Sequence, residues 1–305
     1  MPKTTSTSWK VITYVLLGLW LLFAIVPLFW MVGASIKSPL ETNTYPPTFI
    51  PRSFSLQNFG EVLRDRGFGG GEEFVPTIEI GDETVLEGPA LLPGIRPFWN
   101  SLKLGVVTTS VSLVISTMAG YVLATYRFPL SGFMRGFVLL AQQIPIVLLI
   151  VPLFLVLSVL RLAFTFWGVA LALIVLVTPF NTWLMLGYFK VMPRELIDSA
   201  EIDGASQFTT FWRIMLPLAA PGLATAAIFS FTRAWNEFLL VLALSRGQEN
   251  LPYTVGLYNF FGEYGSGSWH LIAAAALMAS LPVLLIFTVF QKYFIAGLTG
   301  GAVKS

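Results

Sequence analysis

At 305 residues, 55% hydrophobic and only 11% charged, with a mean hydropathy of +0.76, the chain falls well short of the roughly 25% charged residues of an ordinary soluble domain, so part of its surface must face lipid. A net charge of +2 offers no basic field for nucleic acid. The absence of cysteine excludes disulfides, thiolate zinc sites and cysteine nucleophiles, and the single histidine, His270, argues against an all-protein zinc site.

A membrane-crossing helix needs about 20 mostly apolar residues. Six stretches supply them: Val11–Gly33, Trp99–Leu123, Arg135–Leu160, Trp167–Phe189, Leu218–Leu244 and His270–Phe290. Lys3 and Lys10 before the first run, and Gly33-Ala34-Ser35 after it, resemble a secretory leader. The run is longer than a leader core of about 7–15 residues and more spans follow, so it reads as a retained span. Pro27, Pro145, Pro152, Pro179 and Pro282 lie within these stretches. Neighbouring helices re-satisfy the carbonyls a proline frees in lipid, so each reads as a kink.

This divides the chain into an N-terminal segment at 1–10, a six-span domain at 11–290 and a tail at 291–305. A long first loop spans 34–98, and a loop at 190–217 joins the fourth and fifth spans. The first loop is acidic from Glu41 through Glu87. Within it, Phe74–Ile80 and Thr84–Glu87 flank Gly81-Asp82 with alternating apolar residues, which predicts a small hairpin, although Pro76 weakens its first strand. Lys3, Lys10, Arg127, Arg135, Lys190, Arg194, Arg213, Lys292 and Lys304 fall on one side of the spans, against Arg161 and Arg246 in the short loops opposite. The positive-inside rule then places both termini in the cytoplasm.

Several polar residues interrupt the spans. Lys103 lies where it can snorkel. Gln142, Gln143 and Asn181 sit beside prolines and are read as bonding freed carbonyls. Arg233 and Glu237 are four apart, so one helix face would carry both as an ion pair, with Asn236 beside them. Either the pair anchors the bundle or the three residues line a solute path or gate. His270 and Trp269 open the last span and are read as an interfacial anchor.

The segment Met192–Pro217 carries the most information. Pro193 and Glu195 mark a helix start, and the helix is expected to run to Asp203. Gly204 permits a left-handed turn, and Ser206 can cap a second short helix. Phe208, Phe211, Trp212 and Met215 recur at helical spacing and predict one apolar stripe. Such an elbow either rests on headgroups and its own bundle or docks a cytoplasmic partner.

Asp198-Ser199-Ala200, then Asp203-Gly204, then nine residues on Ile214-Met215-Leu216-Pro217, resembles the EAA motif of permease subunits in binding-protein-dependent ABC importers. That pattern reads Glu-Ala-Ala, two residues, an acidic residue, Gly, nine residues, Ile, any residue and Leu-Pro. Asp198 and Ser199 depart from it, Asp198 keeping the charge on a shorter stem. The tail from Gln291 to Ser305, the stretch Ala234-Trp235-Asn236-Glu237-Phe238, and Tyr45-Pro46-Pro47 leading to Leu56-Gln57-Asn58-Phe59 are similar to the MalG group of carbohydrate-type permeases.

The resemblance implies an all-α, six-span type I importer permease with N-in/C-in topology. It implies that Glu195, Asp198, Ser199, Ala200, Asp203, Gly204, Ile214, Leu216 and Pro217 form a coupling helix seated in an ATPase, and that Gly300, Gly301 and Lys304 contact the ATPases from the tail. The implied partners are an ABC ATPase dimer, a second permease, a solute-binding protein outside the membrane, and lipid. The chain itself contains no Gly-x-x-x-x-Gly-Lys-[Ser/Thr] loop, and Gly69–Gly71 is followed by Glu72 and Glu73, which repel phosphate. No catalytic residue, metal or cofactor is therefore assigned to it, and ATP and Mg belong to the partner. Relative to the family, about Arg64 to Pro97 is an insertion, which either contacts the solute-binding protein or is a solvated excursion. The alternatives are an importer of the same architecture for a non-sugar solute, an ion-driven secondary transporter, and an intramembrane enzyme. No inverted repeat with a mid-membrane ion site favours the second, and no nucleophile–base pair favours the third.

Overall fold

The structure is a computed structural model describing residues 7–63, 77–80, 83–87, 94–245, 251–264 and 269–302. Among the described residues the regular elements are helices and one two-stranded hairpin, and the chain divides into two units, Met1–Ile95 with Leu257–Ala279 and Arg96–Gly256 with Ser280–Ser305.

In the first unit, α1 (Thr7–Ile36) covers the first expected span and contains Pro27. It extends past the expected end at Gly33, and most of its side chains are exposed. A short helix α2 (Pro39–Thr42) follows, its first turn capped by Ser38 Oγ, which accepts from the Glu41 amide. Next comes α3 (Gln57–Leu63). The intervening loop is ordered by Glu41, whose carboxylate accepts from the Arg52 amide at 2.8 Å, the Ser53 amide at 3.1 Å, the Ser53 hydroxyl at 2.8 Å and the Thr48 hydroxyl at 3.0 Å. Buried Lys37 donates Nζ to the Thr48 carbonyl and lies 4.7 Å from the Trp30 ring centroid. Asn58 Nδ2 donates to the Ser35 and Lys37 carbonyls at 2.8 Å each, tying α3 to the end of α1.

The donors around Glu41, led by the Arg52 amide, hold its carboxyl at about 2, below the ordinary 4.5. A depressed carboxylate contributes stability above its unfolded pKa and loses it as pH falls through the folded one. The loop is therefore expected to loosen between about pH 4.5 and about pH 2. Hydrogen-exchange protection at the Arg52 and Ser53 amides, relative to the unstructured rate at each pH, should fall across that window, and Glu41→Gln should remove most of the dependence. Unchanged protection down to the lower limit would contradict the hub.

Strands β1 (Thr77–Ile80) and β2 (Glu83–Glu87) pair antiparallel, Thr77 opposite Glu87 and Ile80 opposite Glu83, with a register irregularity between Ile78 and Glu79. This agrees with the expected hairpin; Phe74–Pro76 and Gly81-Asp82 lie outside the described residues. His270 is buried and Trp269 exposed.

The second unit holds α4 (Ile95–Thr125), α5 (Ser131–Ala141), α6 (Ile146–Val159), α7 (Phe166–Lys190), α8 (Glu195–Ile202), α9 (Gln207–Thr210), a π turn (Phe211–Met215), α10 (Leu216–Leu218), α11 (Ala220–Asn236) and α12 (Leu239–Leu244). Two further helices, α13 (Tyr253–Tyr264) and α14 (Trp269–Ala302), pass between the units in sequence. Among the described residues, segments of α1, α4, α7 and α14 are long and apolar enough to cross a membrane, and the candidates rise from four to six if each of two bent pairs is one span.

Two of the expected spans are broken, not continuous. The third expected span, Arg135–Leu160, is two helices meeting at 107°. Pro145, before α6, has no amide to continue the ladder, and neither half reaches the 20 residues a crossing needs. The fifth, Leu218–Leu244, is divided into α11 and α12 because Glu237 takes an extended conformation after Asn236. The elbow before it bends by 74° into α11.

Tyr121, Met185, Phe189, Phe211, Met215, Ala219 and Ala226 form a buried cluster joining α4, α7, the π turn and α11. Gly120 permits close approach of α4 and α7, since a Cβ there would meet Met185 Cβ at 2.8 Å and the Leu186 amide nitrogen at 2.9 Å. Asn181 on α7 does not bond a freed carbonyl. Its Nδ2 donates to Ser112 Oγ on α4 at 3.0 Å and to Ser230 Oγ on α11. One buried amide thus links three helices, the role small polar side chains take in lipid.

Candidate coupling site

The elbow is built by local rules. Helix α8 carries Glu195 and Asp198 in its first turn, where carboxylates offset the positive helix end. It ends at Ile202 with Asp203 as its C-cap, one residue short of expectation. Gly204 then takes φ +76°. Its amide donates to the Glu201 carbonyl at 3.0 Å, and the Ala205 amide to the Ala200 carbonyl at 2.9 Å. These are the two bonds of a Schellman motif, whose left-handed position favours glycine.

Ser206 restarts the helix. Its Oγ accepts from the Thr209 amide at 3.2 Å, and its carbonyl accepts from the Thr210 amide at 2.9 Å. The expected turn and cap are thus both formed. The π turn at Phe211–Met215 was not expected. Pro217 supplies its reason: the ring has no amide for the Arg213 carbonyl and crowds it in a regular helix. Widening the preceding turn removes that clash, and the Leu216 amide reaches back to the Phe211 carbonyl. The signal was in the sequence, at Pro217 beside a run that is otherwise helical.

The expected apolar stripe is divided into two ridges. Phe211 and Met215 are 6% and 1% exposed and lie in the cluster with Tyr121, Met185 and Phe189, Phe211 standing 4.9 Å from the Tyr121 ring. Phe208 and Trp212 are 69% and 46% exposed, their rings 5.9 Å apart. Ile202 at the tip of α8 is also exposed. Among the motif positions, Glu195, Asp198, Ser199, Asp203, Gly204 and Pro217 are exposed, Ile214 and Leu216 half-buried, and Ala200 buried. The segment presents carboxylates and aromatic rings outward while its other ridge is locked into α4 and α7.

The three intramembrane polar residues are not gathered as an ion pair. Arg233 and Asn236 lie exposed on α11. Glu237 has left the helix, is buried, and accepts from the Leu240 amide at 3.3 Å, so it caps α12 instead of meeting Arg233. A carboxylate at that end is favoured by the helix dipole. The Thr254 hydroxyl donates to the Glu237 carbonyl at 3.3 Å. In the tail, Gly300 and Gly301 continue α14 instead of fraying, while Lys304 lies outside the described residues. Among the described residues no cluster of His, Asp or Glu is arranged to hold a metal ion.

The sequence matches the family described as "Binding-protein-dependent transport system inner membrane component" over residues 113–300. It is 31% identical to the trehalose transport system permease protein SugB of Mycobacterium tuberculosis across 100% of both chains. It is 37% identical to the arabinooligosaccharides transport system permease protein AraQ of Halalkalibacterium halodurans over 92% of this chain and 91% of that one. The fold is similar to a chain in the crystal structure of a bacterial ABC transporter involved in the import of alginate, with a TM-score of 0.73, 23% identity, and 96% and 100% of the two chains covered. The chain therefore belongs to the inner membrane component family of binding-protein-dependent transport systems: it is a multi-pass permease of an ABC importer, a transport subunit and not an enzyme, with ATP hydrolysis left to the partner ATPase.

Proposed function

We propose that this permease pairs with a second, related permease to enclose a path for a carbohydrate-like solute, and that residues 195–217 seat in a cytoplasmic ATPase dimer. The observation that carries the docking assignment is the division of the elbow: Phe208 and Trp212 face outward while Phe211 and Met215 are packed against α4 and α7. Exposed aromatic surface on a short ordered elbow is costly in water unless a partner covers it. An elbow whose reverse side is wedged into the bundle passes displacement to those helices without first deforming.

In this reading six spans cross the membrane, the two bent pairs counting as one each, with both termini cytoplasmic. Closure of the ATPase dimer moves the elbow, and α4, α7 and α11 follow through the Tyr121–Phe211 contact and the Asn181 link. Arg233 and Asn236, polar and exposed on α11, line the path or its gate. Gly300, Gly301 and Lys304 add a contact to the ATPases. A solute-binding protein delivers the substrate from outside. A neighbour of similar fold, with a TM-score of 0.63 and 16% identity, is described as an alginate transporter in complex with a pentasaccharide-bound periplasmic protein. The carbohydrate class is supported by the relatives, named for trehalose, arabinooligosaccharides and galactooligosaccharides.

Reconstituting the chain with its second permease, ATPase and solute-binding protein in liposomes tests this. Uptake of a labelled oligosaccharide is expected to require both ATP on the ATPase side and the binding protein. Uptake on an ion gradient without ATP would overturn it.

A further inference from the structure

Five large apolar side chains between α1 and α3 have no part in the mechanism above. Leu40, Tyr45, Phe49, Ile50 and Phe54 are all exposed, Tyr45 by 95%. The loop does not project away from α1. The Ser55 amide donates to the Ile36 carbonyl at 2.8 Å, and the Phe49 ring meets the Trp30 ring edge-on at 5.1 Å. The chain thus turns back beside the last two turns of α1.

Depth follows from length. The 30 residues of α1 span about 45 Å at 1.5 Å per residue, more than the ~30 Å hydrocarbon core. Counting about 20 residues from Lys10, the last cation before the apolar run, puts the far boundary of hydrocarbon near Trp30. Phe49, in contact with Trp30, lies at that level, where aromatic rings concentrate in membrane proteins.

Charge separates lipid from water or a soluble protein as the occupant. Residues 38–57 include two charged side chains, Glu41 and Arg52. The Glu41 carboxylate is turned into the loop by its four donors, leaving exposed Arg52 as the cation of this apolar segment, suited to a lipid phosphate. We infer that residues 38–56 form a monotopic anchor, inserting Tyr45, Ile50 and Phe54 into the outer-leaflet boundary of the bilayer with Arg52 at the headgroups. Glu41 and Lys37 are the inward-facing ties that hold this face in shape.

The absence of native cysteine in this chain makes a direct test available. Single Tyr45→Cys, Ile50→Cys and Phe54→Cys variants are labelled with a nitroxide in the assembled transporter, the other subunits lacking reactive cysteine, in vesicles of phosphatidylethanolamine and phosphatidylglycerol. Collision rates with oxygen and with a water-soluble nickel chelate are compared with a label at Leu22 on α1 and with free nitroxide in buffer. The expected oxygen-to-nickel ratio at all three positions is several-fold above that of free nitroxide and below that at Leu22. Ratios equal to free nitroxide would mean a solvated loop, and exclusion of both reagents would mean a covering protein; either result overturns the anchor.

Discussion

Replacing Gly204 with valine is expected to collapse ATP-driven uptake while leaving the transmembrane helices folded. Gly204 holds φ +76°, and a Cβ built there meets nothing within 4 Å. The substitution therefore acts through backbone conformation alone. The left-handed region costs an ordinary L-residue about 1–2 kcal/mol, and a β-branched one suffers most. Such a penalty lowers the population of a local structure by about 5–30-fold. Losing the turn breaks both Schellman bonds, so α8 and α9 no longer meet at a fixed angle. Gly204→Asn is the control, because asparagine tolerates the left-handed region. Uptake near the parent rate is expected for asparagine and at least a several-fold loss for valine. Equal uptake in the two variants would show that the turn's geometry is not what couples the subunits.

The second large effect separates the ridges of the elbow. Phe211→Ala is expected to destabilise the subunit by about 3–5 kcal/mol, the usual cost of emptying a buried phenylalanine site. Phe211 contacts Tyr121 and Phe189 in the cluster beneath the loop. The double variant Phe208→Ala, Trp212→Ala removes exposed rings and is expected to change subunit stability by only about 0.5 kcal/mol. Its effect should appear in assembly. If the rings fill a partner's cleft, loss of an aromatic anchor weakens binding by about 2 kcal/mol or more, a fall of roughly 30-fold in affinity. Thermal unfolding of the purified permease pair and titration with the ATPase read the two effects separately. A double variant that unfolds early but binds normally would reverse the assignment of inner and outer faces.

Much of this was legible in the chain. The shortage of charge and the long apolar runs specified a membrane helix bundle, since the boundaries of a lipid-facing helix depend mainly on local hydrophobicity. Gly204 and Ser206 announced the elbow because caps and left-handed turns use residues within a few positions of one another. The hairpin at Thr77–Ile80 and Glu83–Glu87 was legible for the same reason.

The readings that failed depended on neighbours distant in sequence or on a break in regular geometry. Arg233 and Glu237 satisfy the four-residue spacing of a helical ion pair, but the helix stops at Asn236 and Glu237 caps α12. The kink expected at Pro145 is present, and only its size, a 107° bend, lay beyond what spacing implies. Asn181 was read as repairing a local carbonyl, whereas its partners, Ser112 and Ser230, are 69 and 49 residues away.

The sequence by itself determined the solvent, the helical class, the missing phosphate loop and the position of the elbow, because each follows from composition or from interactions spanning a few residues. Only the tertiary structure decided which edge of the 208–215 stripe is buried, which helices Asn181 joins and where Glu237 turns. Periodicity places side chains around a helix axis but does not say where the neighbouring helices stand. Burial is set by that neighbour, as Tyr121 and Met185 set it for Phe211 and Met215 and leave Phe208 and Trp212 outside.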